Sequence, residues 1–369
     1  MGILVISQEN SIMTHLDSEK SILFIGEFPP PYTGVTVKDV ALCKEILSGY
    51  DIEKFDLYQF KFQKYKFPIL CIELLKTVRK AKLICIGAGH SFRVCSIFLL
   101  SKLLCGKAFL GNIVVFVMGT GLPEYLKRHP RYIRYLSQGK CLFVEGKSLV
   151  KDLNDLGLSN AFYLPNFRSG KTALPPQPIK DRVRFVYFAR VCQDKGADTL
   201  LSAVEKLNKR GLESRFEVDI WGHVDPEFER DFKMLIEPLK NVRYRGVFNS
   251  AENDVYELLN TYDSSASSSS WREGMSGTNI ECKFAGIANI VGDGGLNSES
   301  VEHGKTGYVV PAGDVDALVE AMMSLIEDHD LLYQMKCASF EDRKDFSTDL
   351  WKEKILREIG LKEGSDECI

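Results

Sequence analysis

Two carboxylates separated by seven residues stand in the segment Trp271-Arg272-Glu273-Gly274-Met275-Ser276-Gly277-Thr278-Asn279-Ile280-Glu281. Between them lie small residues, which let backbone amides approach a ligand closely. A helix beginning at Ser276 to Thr278 aims several of its first N–H groups at one point. Gly274, Met275, Ser276, Gly277 and Thr278 are therefore candidate contacts to a bound molecule, flanked by Glu273 and Glu281. A carboxylate accepts hydrogen bonds from two neighbouring hydroxyls, so this chemistry suits a sugar or a ribose. On type and spacing alone, the same pattern also fits a surface Glu273 and a Glu281 that simply favours the start of a helix.

A second group sits in Phe188-Ala189-Arg190-Val191-Cys192-Gln193-Asp194-Lys195-Gly196. Arg190 and Lys195 lie in one loop leaving a strand, where two cations can converge on a diphosphate and neutralise it as it departs. A solvated basic loop is the competing reading. Gly26-Glu27-Phe28-Pro29-Pro30-Pro31-Tyr32-Thr33-Gly34 is a further strand-to-helix loop, with Gly34 at the helix start able to approach an anion. A proline-rich turn without a ligand is the alternative there. His90, in Gly87-Ala88-Gly89-His90-Ser91, follows a strand and can hydrogen-bond a substrate or cap the next helix. Gly-x-Gly-x-x-Gly is missing, which weighs against a nicotinamide enzyme. No cysteine pair has Cys-x-x-Cys spacing, and the Asp-x-Asp at Asp314-Val315-Asp316 reads as a helix cap. Neither a metal site nor a cofactor is expected.

These loops need elements to hold them. Apolar runs at 21–26, 83–86, 113–118, 141–144 and 161–164 alternate with helical patterns at about 69–80, 91–105, 123–137 and 147–156. The alternation predicts an α/β unit with an open, mainly parallel sheet over 20–165, after a polar lead-in at 1–19. Five breakers, Pro165, Gly170, Pro175, Pro176 and Pro178, predict a linker at 166–179. The pattern restarts with strands at 183–189, 216–221, 242–245 and 288–291, giving a second α/β unit over 180–345. Two such units create a cleft, and ligands bind outside the carboxyl ends of the strands. An N-capped amphipathic helix begins near Ser347.

In order, the Glu pair is followed by Gly294-Gly295, by Gly304-Lys305-Thr306-Gly307-Tyr308-Val309-Val310-Pro311 and by Asp314-Val315-Asp316. With Arg190 and Lys195-Gly196 upstream, this stretch from about 183 to 330 resembles the retaining glycosyltransferases of family 4. Cys282-Lys283-Phe284 and Ala288 depart from the usual residues. The resemblance implies the GT-B fold, two Rossmann-like α/β domains facing each other across a cleft. It implies that Glu273 and the amides after it contact the donor sugar, that Glu281 holds the nucleotide ribose, and that Arg190, Lys195 and Gly34 meet the diphosphate. It also implies that 346–369 contains a helix crossing back to the first domain, and it points to His90 as a contact to the hexose or acceptor. The expected function is transfer of a hexosyl sugar from a nucleotide sugar to a glycan or lipid-linked acceptor, with surface polysaccharide synthesis as the default setting. A nucleotide-sugar epimerase and a non-catalytic sugar-binding scaffold are the alternatives. A glycosidase fits poorly, because both carboxylates occupy one loop-helix unit instead of flanking a bond.

Composition sets the outer bounds. The 369 residues are 45% hydrophobic and 26% charged, sufficient for two cores. Forty-seven Lys and Arg against 50 Asp and Glu leave a net charge of -3, which argues against a nucleic-acid partner. Ten cysteines, several inside apolar runs, suggest free thiols and a cytoplasmic setting. No signal peptide or spanning helix is expected. Within 54–107, however, eleven Lys or Arg face only Asp56 and Glu73, with Phe55, Phe60, Phe62, Tyr65 and Phe67 interleaved. Such a face suits contact with an anionic membrane, at whose inner surface the protein would then lie; a solvated helix face with its aromatics in the core, and a nucleic-acid contact, are the other readings.

Overall fold

Strands β1 (Ile22–Gly26), β2 (Ile52–Asp56), β3 (Leu83–Ala88), β4 (Ile113–Val117), β5 (Cys141–Val144) and β6 (Ala161–Tyr163) form one six-stranded sheet in the order β2-β1-β3-β4-β5-β6. A second sheet, ordered β12-β11-β10-β7-β8-β9, contains β7 (Val183–Phe188), β8 (Phe216–Trp221), β9 (Val242–Gly246), β10 (Ser264–Ser267), β11 (Ala288–Gly292) and β12 (Gly307–Val310). Every neighbouring pair is parallel. Helices cover both faces, so the central strands are unbroken apolar runs: Ile113-Val114-Val115-Phe116-Val117 is buried throughout. The computed structural model describes residues 22–31, 33–250, 252–270 and 274–361. The lead-in at 1–19, Glu273 and the tail beyond Leu361 lie outside the described residues.

Sequence patterning overlooks β2, β10 and β12. Strand β10 is Ser264-Ser265-Ala266-Ser267, too polar for an apolar-run criterion, yet it lies between β7 and β11. Its polar groups are paired in place, with Ser265 Oγ donating to Asn289 Oδ1 at 2.7 Å. The helix expected over 123–137 is two pieces, Leu122–Arg128 and Ile133–Leu136, because Pro130 cannot continue the hydrogen-bond ladder.

The two units share an apolar seam. Met275, Ile280, Phe284, Leu296 and Phe346 from the second half pack into the core of the first sheet's side helices. On the other face of that sheet, helix Thr348–Glu358 packs Trp351, Ile355 and Leu356 with Ile22, Phe24 and Phe143. Thr348 Oγ1 donates to Glu45 Oε2 at 2.7 Å where the helix begins.

Asp39, fully buried on helix Gly34–Ala41, lies beneath the carboxyl ends of β1 and β3. Its Oδ2 accepts the Glu27 amide at 2.8 Å, tying the loop after β1 to the helix. A Cβ at Gly87 would stand 1.9 Å from Oδ1, so only glycine leaves room for the carboxyl. Among the described residues Oδ1 has no hydrogen-bond partner. Burial raises the Asp39 pKa well above the ordinary value, against a smaller lowering by Lys38. A carboxyl with a raised folded-state pKa contributes stability that is fully present below its unfolded value of about 3.9 and is lost as pH rises through the folded value. Asp39→Asn lacks this titration. The melting temperature of the parent minus that of Asp39→Asn is therefore expected to fall between pH 4 and pH 8, read by thermal unfolding across a pH series.

Candidate functional site

Parallel pairing puts the carboxyl ends of β7 and β10 side by side, and the residues singled out in the second unit leave from these ends. Tyr187, buried in β7, donates its hydroxyl to the carbonyls of Arg190 at 2.8 Å and Lys195 at 3.3 Å, supporting the Arg190–Lys195 loop from below. From the strand alongside, Ser270 N and Ser269 Oγ both donate to Asp194 O at 3.1 Å. The Arg190 side chain is 52% exposed and pairs with Asp225 Oδ2 at 3.4 Å. The Lys195 side chain is half-buried in the same loop.

Helix Gly277–Phe284 starts where the small-residue spacing predicts a helix, with Ser276 as its extended N-cap residue. Thr278 Oγ1 donates to Phe188 O at 3.2 Å, which joins this helix to the end of β7 and so to the cationic loop. A buried network supports the helix: Asn279 Nδ2 donates to Asn297 Oδ1 and Ser300 Oγ, each at 3.3 Å, and Asn289 Nδ2 donates to Asn279 O at 3.3 Å. Ser276 N donates to Asn297 Oδ1 at 3.0 Å. Met275 turns its side chain into the seam between the units, so only its backbone is available to a ligand.

Glu281 lies on the second turn of this helix, and its carboxylate is engaged. Oε1 accepts from Arg168 Nε at 3.1 Å and Nη2 at 2.8 Å. Burial acts against the Arg168 charge, but Glu281, Tyr256 and Glu45 outweigh it and raise the guanidinium pKa above its ordinary value. Arg168 Nη1 also donates to Asn166 Oδ1 at 3.0 Å, and Asn166 Nδ2 to Met275 O at 3.1 Å. A Cβ at Gly277 would stand 2.3 Å from Arg168 Nη2, so the glycine makes room for the guanidinium. Asn166 and Arg168 belong to the segment expected to be a plain linker, and sequence reading missed them. Their signal was a polar Asn and Arg inside an otherwise apolar and proline-rich junction.

Across the cleft, Gly274 meets the first unit. A Cβ there would stand 2.1 Å from Glu145 Oε2 and 3.1 Å from Gly119 N. Glu145, at the end of β5, is buried and pairs with Lys38 Nζ at 2.8 Å, while Gly119 N donates to its Oε2 at 3.1 Å. Glu145 and Lys38 are thus residues of the cleft wall that no motif had indicated. Gly34 opens helix Gly34–Ala41, whose N-cap Thr33 exchanges capping bonds with Thr36. Beside it, Val35 Cγ2 is 3.0 Å from where a Gly89 Cβ would be, next to the exposed His90 that precedes helix Ser91–Cys105. Gly34, His90 and Gly119 therefore share the carboxyl edge of the first sheet. Asp314 caps helix Val315–Glu327 through Ala317 N at 3.0 Å. Among the described residues, no three His, Cys, Asp or Glu side chains are grouped as metal ligands.

Removing Arg168 leaves the Glu281 carboxylate half-enclosed without its cation. Arg168→Ala is expected to cost about 2–4 kcal/mol in urea unfolding, with Arg168→Lys recovering only part because it lacks the forked donor geometry. In a double-mutant cycle with Glu281→Gln, a coupling below about 0.5 kcal/mol would show that the pair is not a working contact.

Comparison with known proteins bears on this geometry. The family model described as glycosyl transferases group 1 matches residues 172–342. No curated protein matches the chain. Among solved structures, Anabaena HepE in complex with UDP is 13% identical, covering 93% of this chain and 100% of its own, with a TM-score of 0.74. Sucrose-phosphate synthase from Thermosynechococcus elongatus is 14% identical at a TM-score of 0.69, covering 93% and 99%. A glycosyltransferase from Rickettsia africae is 17% identical at 0.69, covering 93% and 99%. The chain has the GT-B fold, and residues 172–342 are similar to the glycosyl transferases group 1 family.

Proposed function

We propose that the protein transfers a hexosyl sugar, with retention of anomeric configuration, from a nucleotide-diphosphate sugar to a hydroxyl of a glycan or lipid-linked acceptor. One observation carries the reading: the helix bearing Glu281 is hydrogen-bonded to the end of β7, from which the Arg190–Lys195 loop leaves, and the loop before that helix faces the first unit at Gly274. In this reading Arg190 and Lys195 take up the charge that develops on the departing diphosphate, without a metal ion, and the amides at Gly34 assist from the opposite wall. Amides from Gly274 to Thr278 and the Glu273 carboxylate orient the hexose, and His90 hydrogen-bonds the hexose or the acceptor. Glu281 accepts from the ribose while Arg168 holds its Oε1. The acceptor oxygen attacks the anomeric carbon on the face the diphosphate leaves. The carbon–oxygen bond to phosphate breaks as the new glycosidic bond forms, and the acceptor's proton passes to a phosphate oxygen. Solved relatives hold UDP and UDP-glucose, which supports UDP as the first nucleotide to try. Surface polysaccharide or glycoconjugate synthesis is the setting that suits such a product.

Thermal stabilisation tests the donor site. UDP, GDP, ADP, dTDP and CMP are compared with EDTA present, on the parent, Arg190→Ala and Glu281→Ala. One diphosphate is expected to stabilise the parent by about 2.7 kcal/mol at roughly 100 times its Kd, and neither variant at the same concentration. A parent that no nucleotide stabilises, or a shift abolished by EDTA, would count against the reading. With the donor identified, NMR of the product's anomeric proton decides between retention and inversion.

A further inference from the structure

The stretch between β2 and helix Phe67–Lys80 exposes side chains that ordinarily lie in a core. Phe62, Tyr65, Phe67, Ile69 and Ile72 leave between 51% and 79% of their surface open, and Phe92, at the start of the helix after β3, leaves 64%. Helix Phe67–Lys80 already has a buried face, formed by Leu70, Leu74, Thr77 and Val78. Ile69, Ile72, Lys76 and Arg79 follow at intervals of three and four on the opposite face, all exposed. Ile69 and Ile72 therefore form an outward stripe separate from that core, and Phe62 and Phe67, whose rings also meet Tyr58 and Phe60, continue it along the chain.

Charge identifies what the stripe meets. From Lys54 to Lys82 there are eight basic residues, Lys54, Lys61, Lys64, Lys66, Lys76, Arg79, Lys80 and Lys82, against Asp56 and Glu73. Asp56 Oδ1 is already accepting from Phe28 N and Tyr58 N. Lysines alternate with rings along the chain, and the ammonium groups of Lys61 and Lys66 lie over the Phe62 and Tyr65 rings at 5.5 and 5.6 Å. Aromatic and aliphatic side chains seat at headgroup depth while lysine stems reach outward to phosphates. An apolar stripe with a basic border thus complements an anionic bilayer. No helix among the described residues is long and apolar enough to cross a membrane, so contact by this stripe would be from one side.

Position connects the stripe to the cleft. In a parallel sheet the helices following β2 and β3 both start from the carboxyl edge, which also carries Gly34, His90 and Gly119. We propose that Phe62, Tyr65, Phe67, Ile69 and Ile72, with their bordering lysines, form a membrane-docking surface that seats the first unit on anionic lipid and presents its cleft to an acceptor held in the bilayer. The acceptor part of the proposal rests on the transferase reading; the docking part does not.

Co-flotation of the full chain with vesicles tests the docking, using phosphatidylcholine alone and phosphatidylcholine with phosphatidylglycerol, at low and high salt. The parent is expected to float with the anionic vesicles only, and less at high salt. Phe62→Ser/Ile69→Ser and Lys64→Glu/Lys66→Glu should each lower partitioning at least about tenfold, with unfolding midpoints and nucleotide stabilisation unchanged. Equal flotation with both vesicle types, no flotation, or variants that float like the parent would overturn the proposal, and a stripe that instead mediates concentration-dependent self-association would appear as a dimer lost in the Ser variant without any flotation. Failure of nucleotide stabilisation with flotation intact would strike the transferase reading and the acceptor role while leaving the docking surface standing.

Discussion

The cleft depends on one buried carboxylate. Glu145 at the end of β5 accepts from Lys38 and from the Gly119 amide, and it leaves space at residue 274 only for a glycine. A buried ion pair of this kind adds little net stability, because desolvation offsets most of the attraction, but losing one partner strands a charge in a poor dielectric. The consequence is geometric. Helix Gly34–Ala41, the loop after β4, the end of β5 and the loop before helix Gly277–Phe284 are held at a single point, and that point lies between the two sheets.

A second clamp acts from the connector. Arg168 and Asn166 reach from the junction into the helix of Glu281 and the backbone of Met275, while Arg168 N donates to Phe346 O at 2.9 Å and Thr348 N to Arg168 O at 2.9 Å. The connector therefore touches the helix that carries Glu281 and the start of the terminal helix together. On a third side, Glu299 of the second unit accepts from Lys147 N at 2.6 Å and Ser148 N at 3.2 Å, satisfying open amides at the start of helix Lys147–Asp155. These polar locks surround an apolar seam that includes Met275 and Leu296. Apolar burial gives the units a common core, and the directional bonds select one alignment of the loops.

Legibility followed the periodicity of the residues. The central strands announced themselves as short apolar runs because a doubly covered parallel sheet buries both of their faces. Strand β10 did not, since a strand of serines has no apolar period, and its burial depends on partners for the hydroxyls, Asn289 for Ser265 and the Ser265 carbonyl for Ser264. The small-residue spacing marked the start of helix Gly277–Phe284 and the exit of β7 marked the cationic loop, because both are local consequences of chain type. Glu145, Lys38, Asn166 and Arg168 carry no such mark. Each is an ordinary polar residue in its own stretch, and its significance comes from a partner between 2 and 113 positions away.

By itself, then, the sequence determined two parallel α/β units, the break between them, and which loops hold carboxylates, cations and small residues. These features depend on period, breakers and composition within windows of a few turns. Tertiary structure alone decided that Gly274 lies against Glu145, that Glu281 is held by Arg168, and that the Phe62–Ile72 stripe stays outside the core. The reason is physical: an aromatic or isoleucine reads the same whether it faces a core or a solvent-exposed surface, and an ion pair has no local pattern when its halves come from different strands of the chain.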